Sequence, residues 1–205
     1  MIDTKLRKYV QPVFNQVGKG FVRLKMTPNM ITVMAFIIGV SAGVFIAFGH
    51  IVIPIVLLWT SGLLDVVDGT VARLTNKHSK IGAYLDLIFD RMVEAAIILG
   101  FYFLFKEYAL AYLLFFISVI FNFTTFLVAA SLFKNEGEKS VHYDIGIAER
   151  TETFIVFTLM MVFSQHVFII LMVFNVIIFL TGILRFIRTI RYASKLNKQV
   201  QLHEA

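Results

Sequence analysis

The sequence contains no cysteine, which excludes disulfide bonds, thiolate metal ligands and a cysteine nucleophile. It also has few charged residues: 16% are Asp, Glu, Lys or Arg, whereas soluble domains have about 25%. Hydrophobic residues make up 59% of the chain, and the mean hydropathy is +0.82. This composition predicts an integral membrane protein rather than a soluble domain.

The hydrophobic residues form stretches that are long enough to cross a bilayer, which takes roughly 20 mostly apolar residues per helix. We expect an all-α fold with about six transmembrane helices, at residues 30–49, 51–72, 83–105, 108–132, 153–172 and 173–192. Five spans are the alternative, because SQHVF at 164–168 is the only polar break between the last two stretches.

The basic residues are distributed unevenly between the two sides that six spans would create. Of the 19 lysines and arginines, all but Lys106 and Arg91, which lies within a span, fall on the side of the two termini. Because cytoplasmic loops carry the excess of Lys and Arg, we expect a multi-pass protein of the cell membrane with both termini in the cytoplasm. The net charge of +6 then reflects topology and contact with anionic lipids, and we expect no nucleic-acid partner.

The residues before the first span predict a helix that lies in the membrane interface. Its apolar residues recur every three or four positions, as on one face of a helix, and Pro12 could kink it. The alternative is a basic leader that only sets the topology. We divide the chain into an interfacial amphipathic helix at 1–26, a six-helix membrane domain at 27–192 and a polar tail at 193–205.

Four aspartates lie at the cytoplasmic ends of the second and third spans. Asp65 and Asp68 are three residues apart, and Asp86 and Asp90 are four apart, so each pair shares one helix face. Because the two spans are expected to be antiparallel neighbours, their four carboxylates would meet in one cluster. Four like charges need compensation, and Mg²⁺ or Mn²⁺ with oxygen ligands would supply it.

Small residues and one arginine accompany these aspartates. Arg73 lies one turn beyond Asp68 and could bind a phosphate that the metal also holds. Together these residue types favour a metal–pyrophosphate site in an enzyme. A divalent-cation transport pathway and a structural salt-bridge network are the alternatives. The small residues are Gly62, Gly69, Ala72, Gly82 and Ala83.

The segment DVVDGTVARLTNKHSKIGAYLDLIFD at 65–90 resembles the pattern D-x2-D-G-x2-A-R-x8-G-x3-D-x3-D of the CDP-alcohol phosphotransferases (CDP-alcohol phosphatidyltransferases). All eight fixed positions agree. The start of the first span, LKMTPNMITV, is also similar to that family, as is the expected arrangement of six spans with an interfacial helix.

The resemblance implies a transferase that moves a phosphatidyl group from CDP-diacylglycerol to the hydroxyl of a small alcohol, with or without a phosphate of its own, and releases CMP. It also implies a homodimer. A CDP-aminoalcohol donor with a diacylglycerol acceptor is the alternative within the family. Two divalent ions would be bound by Asp65, Asp68, Asp86 and Asp90. The CDP moiety would be bound by Asn29, Thr32, Gly69, Ala72, Arg73 and Gly82.

Asp90 is expected to be the general base for the acceptor hydroxyl. It lies two helical turns past Gly82, which puts it deepest in the apolar part of the third span. Glu94, one turn further, would be costly against lipid, so we expect it to pair with Arg91, Arg150 or Lys134.

The acceptor is expected to be recognised outside the 65–90 segment. GIAERTETFIVF at 146–157 resembles the start of the fifth span in prokaryotic phosphatidylinositol-phosphate and archaetidylinositol-phosphate synthases. Those enzymes carry a basic K-A-R stretch at the end of the fourth span, where this chain reads VAASLFKNEGEKS without a clear counterpart. The candidate acceptor-binding residues are Lys134, Arg150, Arg185 and Arg188.

Overall fold

The structure is a computed structural model. It describes the backbone of residues 2–77, 79–133 and 150–204, and the side chains of 11–77, 79–133 and 151–195. Within these ranges the fold is all-α, as predicted. Seven α-helices are present, with short 3-10 turns at Lys106–Tyr108 and Ser164–His166: α1 (Ile2–Arg23), α2 (Pro28–Ala47), α3 (Val52–Leu74), α4 (Lys80–Leu104), α5 (Ala109–Leu132), α6 (Arg150–Val162) and α7 (Val167–Glu204).

Four of these helices, α2, α3, α5 and α7, are long and apolar enough to cross a membrane. Helix α4 has 25 residues but carries five charged side chains, which lowers its mean hydropathy. Helix α6 has 13 residues, or about 20 Å of helix, against a hydrocarbon core of about 30 Å. The membrane character of the chain is thus confirmed, while the number of six spans stays a prediction.

The predicted fifth span at 153–172 is wrong in its bounds. Helix α6 ends at Val162, and the polar residues Ser164, Gln165 and His166 form a 3-10 turn before α7 begins at Val167. The break therefore lies where the polar residues are, and α7 begins six residues before the predicted start of the next span at 173. Helix α7 then continues without interruption through the predicted tail to Glu204.

Two compact units divide the described chain, and each is described by itself. The first comprises residues up to 109 together with 157–164, and so holds α1 to α4. Here α2 packs between α3 and α4. Its contact with α4 is a close one, since a Cβ added at Gly43 would lie 2.2 Å from the backbone oxygen of Ala96, and one at Gly100 would lie 2.3 Å from that of Gly43. These glycines let the two backbones touch.

Helix α1 packs against α3 in the same unit. Phe14, Phe21 and Val22 of α1 cover a buried cluster of Ile31, Val67 and Val71. Pro12 lies inside α1, which remains one helix. Exposed apolar residues such as Val13 and Val17 agree with an interfacial helix, while the contact with α3 shows that α1 is also part of the core around the aspartate-bearing helix.

The second unit comprises residues 110–156 and those from 165 onwards. Its helices α5 and α7 pack closely, and a Cβ added at Gly182 would lie 2.7 Å from the Phe121 ring. The buried Asn175 of α7 donates from Nδ2 to the backbone oxygen of Ala111 at 2.9 Å, which joins the two helices near the start of α5.

Candidate active site

Polar residues form three helix ends at or near the segment 65–90. Thr27 caps α2, with Pro28 in the first turn, and Ser79 caps α4 by accepting a hydrogen bond from the Gly82 N–H at 2.9 Å. At the end of α3, Asn76 takes the left-handed conformation (φ 51°), and the Lys77 N–H donates to the Ala72 oxygen at 3.0 Å. This turn places Lys77 beside the start of α4.

The predicted aspartate cluster forms between α3 and α4. Asp65, Asp68 and Asp86 each offer one carboxylate oxygen, and these oxygens lie within 4.8 Å of one another. Asp68 is buried, and Asp65 and Asp86 are half-buried. Asp90, also half-buried, lies one turn further along α4 and is not part of this group of three. Three of the four predicted ligands therefore come together.

A pocket of about 480 Å³ opens beside the carboxylates. It is bounded by the starts of α2 and α4 and by the last turns of α3. Five of the six residues that we expected to bind CDP line it, Arg73 being the exception. The lining residues are Pro28, Asn29, Thr32, Asp68, Gly69, Ala72, Lys77, Ser79, Lys80, Gly82, Ala83 and Asp86.

The two glycines of this pocket have different surroundings. A Cβ added at Gly69 would meet only Nη1 of Arg73, at 3.7 Å, so the missing side chain leaves space for a ligand. A Cβ added at Gly82 would lie 3.0 Å from Oδ1 of Asn29 and 3.1 Å from Oγ of Ser79. Gly82 therefore allows the start of α2 to approach the start of α4.

Two threonine hydroxyls contact charged residues of the site. Thr32 donates from Oγ1 to Oδ2 of Asp68 at 2.5 Å, and both side chains are buried. Thr70 accepts a hydrogen bond from Nη2 of Arg73 at 3.0 Å. Arg73 is exposed and lies next to Gly69 at the edge of the pocket.

Several of these features were missed from the sequence. Lys77 and Lys80 were counted only among the basic residues that set the topology. The short loop between α3 and α4, which carry the aspartates, was a signal that these lysines lie near the site. The bond from Thr32 to Asp68 joins residues 36 apart, and no local pattern indicates it. The expected pairing of Glu94 is confirmed, since its Oε1 lies 2.7 Å from Nη2 of Arg91 in an ion pair.

The acceptor candidates have a different status. Lys134 lies outside the described residues, and Arg150 is the first residue of α6, with a side chain that the structure does not describe. Within the second unit, Arg185 donates from Nη1 to Oδ1 of Asn122 at 2.9 Å and lies 5.4 Å from the Phe126 ring centroid. Arg188 is exposed on α7.

The donor set at the cluster suits a divalent cation. Three carboxylates within 4.8 Å of one another repel unless they are protonated or share a cation, and hard ions such as Mg²⁺ and Mn²⁺ prefer oxygen ligands. Among the described residues this is the group of acidic side chains close enough to hold an ion. The pocket beside it leaves room for further ligands from a substrate.

Comparisons with known proteins identify the family of this chain. The family model for CDP-alcohol phosphatidyltransferases matches residues 25–187. The Escherichia coli inner membrane protein YnjF is 34% identical over 167 residues, which cover 78% of this chain and 81% of that protein. The match therefore extends over both described units.

Two enzymes are similar over about half their length. An archaetidylinositol phosphate synthase of Pyrococcus horikoshii is 33% identical over 97 residues, covering 47% of this chain and 52% of the relative. A phosphatidylinositol phosphate synthase of Corynebacterium glutamicum is 35% identical over 100 residues, covering 47% of this chain and 45% of the relative.

The fold is shared with the phosphatidylinositol phosphate synthase of Mycobacterium tuberculosis. Its crystal structure with manganese and citrate gives a TM-score of 0.71 at 18% identity, over 86% of this chain and 88% of that one. Its structure with CDP-DAG bound gives 0.63 at 19% identity, over 88% and 91%. The matched family model and the extent of the relatives show that this chain belongs to the CDP-alcohol phosphatidyltransferase family.

Proposed function

We propose that this protein transfers a phosphatidyl group from CDP-diacylglycerol to the hydroxyl of a small alcohol and releases CMP. The observation that carries the proposal is the group of Asp65, Asp68 and Asp86 beside a pocket of about 480 Å³. Five of the six residues expected to bind CDP line this pocket. The Mycobacterium tuberculosis protein with this fold has one crystal structure with CDP-DAG bound and another with manganese and citrate.

The reaction forms one bond and breaks one. The acceptor oxygen bonds to the phosphorus of the phosphatidyl group, and the bond from that phosphorus to the bridging oxygen breaks. The electron pair leaves with CMP, and the hydroxyl proton goes to a base. Asp90 is the proposed base, and its position one turn beyond Asp86 fits a role apart from the group of three.

Two divalent ions, Mg²⁺ or Mn²⁺, are the proposed cofactors, with Asp65, Asp68, Asp86 and Asp90 as their ligands. Bound there, such ions would offset the charge on the pyrophosphate and on the leaving CMP. The protein's own contribution is to hold carboxylate oxygens of Asp65, Asp68 and Asp86 within 4.8 Å of one another beside the pocket.

The proposed CDP site consists of the expected residues of α2, α3 and α4. Gly69 leaves space next to Asp68, and Arg73 lies at the pocket edge, where its guanidinium can reach a phosphate. Lys77 and Lys80, which also line the pocket, add positive charge that would attract a nucleotide diphosphate. Asn29, Thr32, Ala72 and Gly82 complete the set.

The acceptor is proposed to be a small alcohol bound by basic residues of the second half of the chain. Lys134, Arg150, Arg185 and Arg188 are the candidates. The named relatives that make inositol phosphate lipids support an acceptor with a phosphate, whereas the missing K-A-R stretch argues against inositol phosphate itself. Arg185 donates to Asn122 and lies near the Phe126 ring, so binding a ligand would require it to share or give up these contacts.

We also propose that the site faces the cytoplasm of a cell-membrane protein and that the protein is a homodimer. The distribution of basic residues supports the orientation, because Lys77 and Lys80 of the pocket lie on the basic side. The dimer rests on the family resemblance. Light scattering of the purified protein in detergent would test it, and a monomer mass would contradict it.

The decisive experiment measures CMP release from CDP-diacylglycerol by the purified protein in micelles, with Mn²⁺ or Mg²⁺ and a panel of acceptors. The panel contains inositol phosphate, glycerol 3-phosphate, serine and free inositol. We expect one acceptor to give CMP and a matching lipid by mass spectrometry, with Asp86→Asn inactive. If no donor–acceptor pair gives CMP and the protein carries divalent cations across vesicle membranes, the transferase proposal is wrong and the transporter alternative is favoured.

A further inference from the structure

The hydroxyl of Thr32 is directed at the aspartate cluster. Its Oγ1 lies 2.5 Å from Oδ2 of Asp68 and 3.1 Å from the backbone oxygen of Pro28. A hydroxyl has one proton, and the shorter contact to a charged acceptor is the stronger of the two. Thr32 therefore donates to Asp68, across the contact between α2 and α3.

This bond lies in a water-poor setting. Thr32 is 4% exposed and Asp68 is 8% exposed. In such surroundings a hydrogen bond between a hydroxyl and a carboxylate is stronger than in water, and it fixes the rotation of the carboxylate. A carboxylate has two oxygens, so a bond at Oδ2 leaves Oδ1 able to bind a cation.

We propose that Thr32 is a positioning residue for the metal site, and that its hydroxyl acts through Asp68 rather than on the nucleotide. The inference rests on the proposed function, since it assumes that Asp68 binds a divalent ion. Groups that hydrogen-bond a metal ligand orient it, and their loss commonly lowers metal affinity 10- to 100-fold. The family resemblance assigned Thr32 to the nucleotide, and the geometry points to a different partner.

The sequence explains why Thr32 reaches this position. Thr27 caps α2 and Pro28 fixes its first turn, so Thr32 lies just over one turn into the helix, facing α3. Ala35, one turn further, accepts a hydrogen bond from Ser61 of α3 through its backbone oxygen at 2.8 Å. Two cross-helix bonds thus set the register of α2 against the aspartate-bearing helix.

The test measures Mn²⁺ binding directly, by electron paramagnetic resonance of the full chain in micelles, without substrate. Thr32→Val keeps the shape and removes the donor, and we expect the Mn²⁺ dissociation constant to rise about tenfold. Thr32→Ser keeps the donor and should stay within about threefold of the wild type. Thr75→Val is the matched control, because it removes the hydroxyl just after the end of α3 that is bonded to a backbone oxygen and lies outside the pocket lining.

The second readout is CMP binding at saturating Mn²⁺. If Thr32 contacts the nucleotide instead, Thr32→Val weakens CMP binding and leaves Mn²⁺ affinity unchanged, which overturns the inference. Thr32→Ala, which removes both the hydroxyl and the methyl on Cβ, repeats the measurement if the valine variant does not fold. If the wild type binds no Mn²⁺, both the proposed metal site and the inference are wrong. If the wild type binds Mn²⁺ and Thr32→Val has the same Mn²⁺ dissociation constant, only the inference is wrong.

Discussion

Nη2 of Arg73 donates to Oγ1 of Thr70 at 3.0 Å, and the Thr70 hydroxyl donates in turn to the Val66 backbone oxygen at 2.9 Å. Thr70 is buried in α3, whereas Arg73 is exposed at the edge of the pocket. Position 70 is not fixed in the pattern that this chain shares with its family. A residue outside the pattern therefore holds the arginine of the pattern beside Gly69.

Replacing Thr70 by Val should weaken donor binding without unfolding the protein. The change removes the Thr70 hydroxyl as an acceptor for Arg73 and keeps the side-chain shape. A hydrogen bond of this kind contributes about 1 kcal/mol, so the KM for CDP-diacylglycerol should rise about fivefold. Thr70→Ser, which keeps the hydroxyl, is the control. An unchanged KM in Thr70→Val would show that Thr70 does not position Arg73.

The two pocket glycines should respond differently to alanine. At Gly69 the added methyl meets only ordinary contacts, so Gly69→Ala should keep or raise the thermal midpoint while it weakens CMP binding by filling ligand space. At Gly82 the added methyl would lie 3.0 Å from Oδ1 of Asn29, so Gly82→Ala should lower the thermal midpoint and also weaken CMP binding. Melting curves and CMP titrations in micelles separate the two. Equal behaviour of both variants would contradict this division.

Gly43 should be essential for stability rather than for chemistry. A methyl there would lie 2.2 Å from the backbone oxygen of Ala96, and Gly43→Ala should destabilise the fold by about 1–3 kcal/mol. Gly20→Ala in α1 is the matched control, because no atom lies within 4 Å of its added methyl. Thermal unfolding of both is the measurement, and equal midpoints would disprove the close contact of α2 and α4.

Asp86 and Asp90 should differ in how strongly their loss affects metal binding, because Asp90 is also the proposed base and lies outside the group of three. We expect Asp90→Asn to lower kcat at least about 100-fold and to weaken Mn²⁺ binding less than Asp86→Asn does. Asp86→Asn should weaken Mn²⁺ binding itself, because its carboxylate belongs to the group of three. Turnover and direct Mn²⁺ binding are measured for each. Near-normal turnover of Asp90→Asn at saturating metal would end its assignment as the base.

Arg150 should act on the acceptor. Arg150→Ala is expected to raise the acceptor KM about tenfold, in line with the loss of a charge-assisted contact, and to change the KM for CDP-diacylglycerol little. Lys106→Ala is the control, as a basic residue expected on the opposite side of the membrane. Equal effects of Arg150→Ala on both KM values would place Arg150 outside the acceptor site.

Local spacing was enough to predict most of the aspartate cluster. Asp65 and Asp68 share a helix face by their spacing alone, and a short connection to Asp86 forces the next helix alongside. The bond from Thr32 to Asp68 could not be predicted, since it depends on which turn of α2 meets α3, and packing of glycines and apolar side chains decides that.

The end of the chain was harder to predict for a different reason. From 151 to 192 nearly every window is apolar, so hydropathy places no boundary, and the short polar run at 164–166 decides where α6 ends. Acceptor recognition was equally underdetermined, because basic residues near a membrane surface serve topology as well as binding, and their identity does not separate the two roles for Arg185 and Arg188.

The contact of α2 with α4 at Gly43 and Gly100 has a consequence for the lipid environment. Because the two backbones meet there without intervening side chains, neither helix can slide or change its angle alone. A thicker or thinner bilayer must then tilt the pair as one body. The Asn29 end of α2 and the Gly82 end of α4 would then move together, so the width of the pocket between them would not change with bilayer thickness.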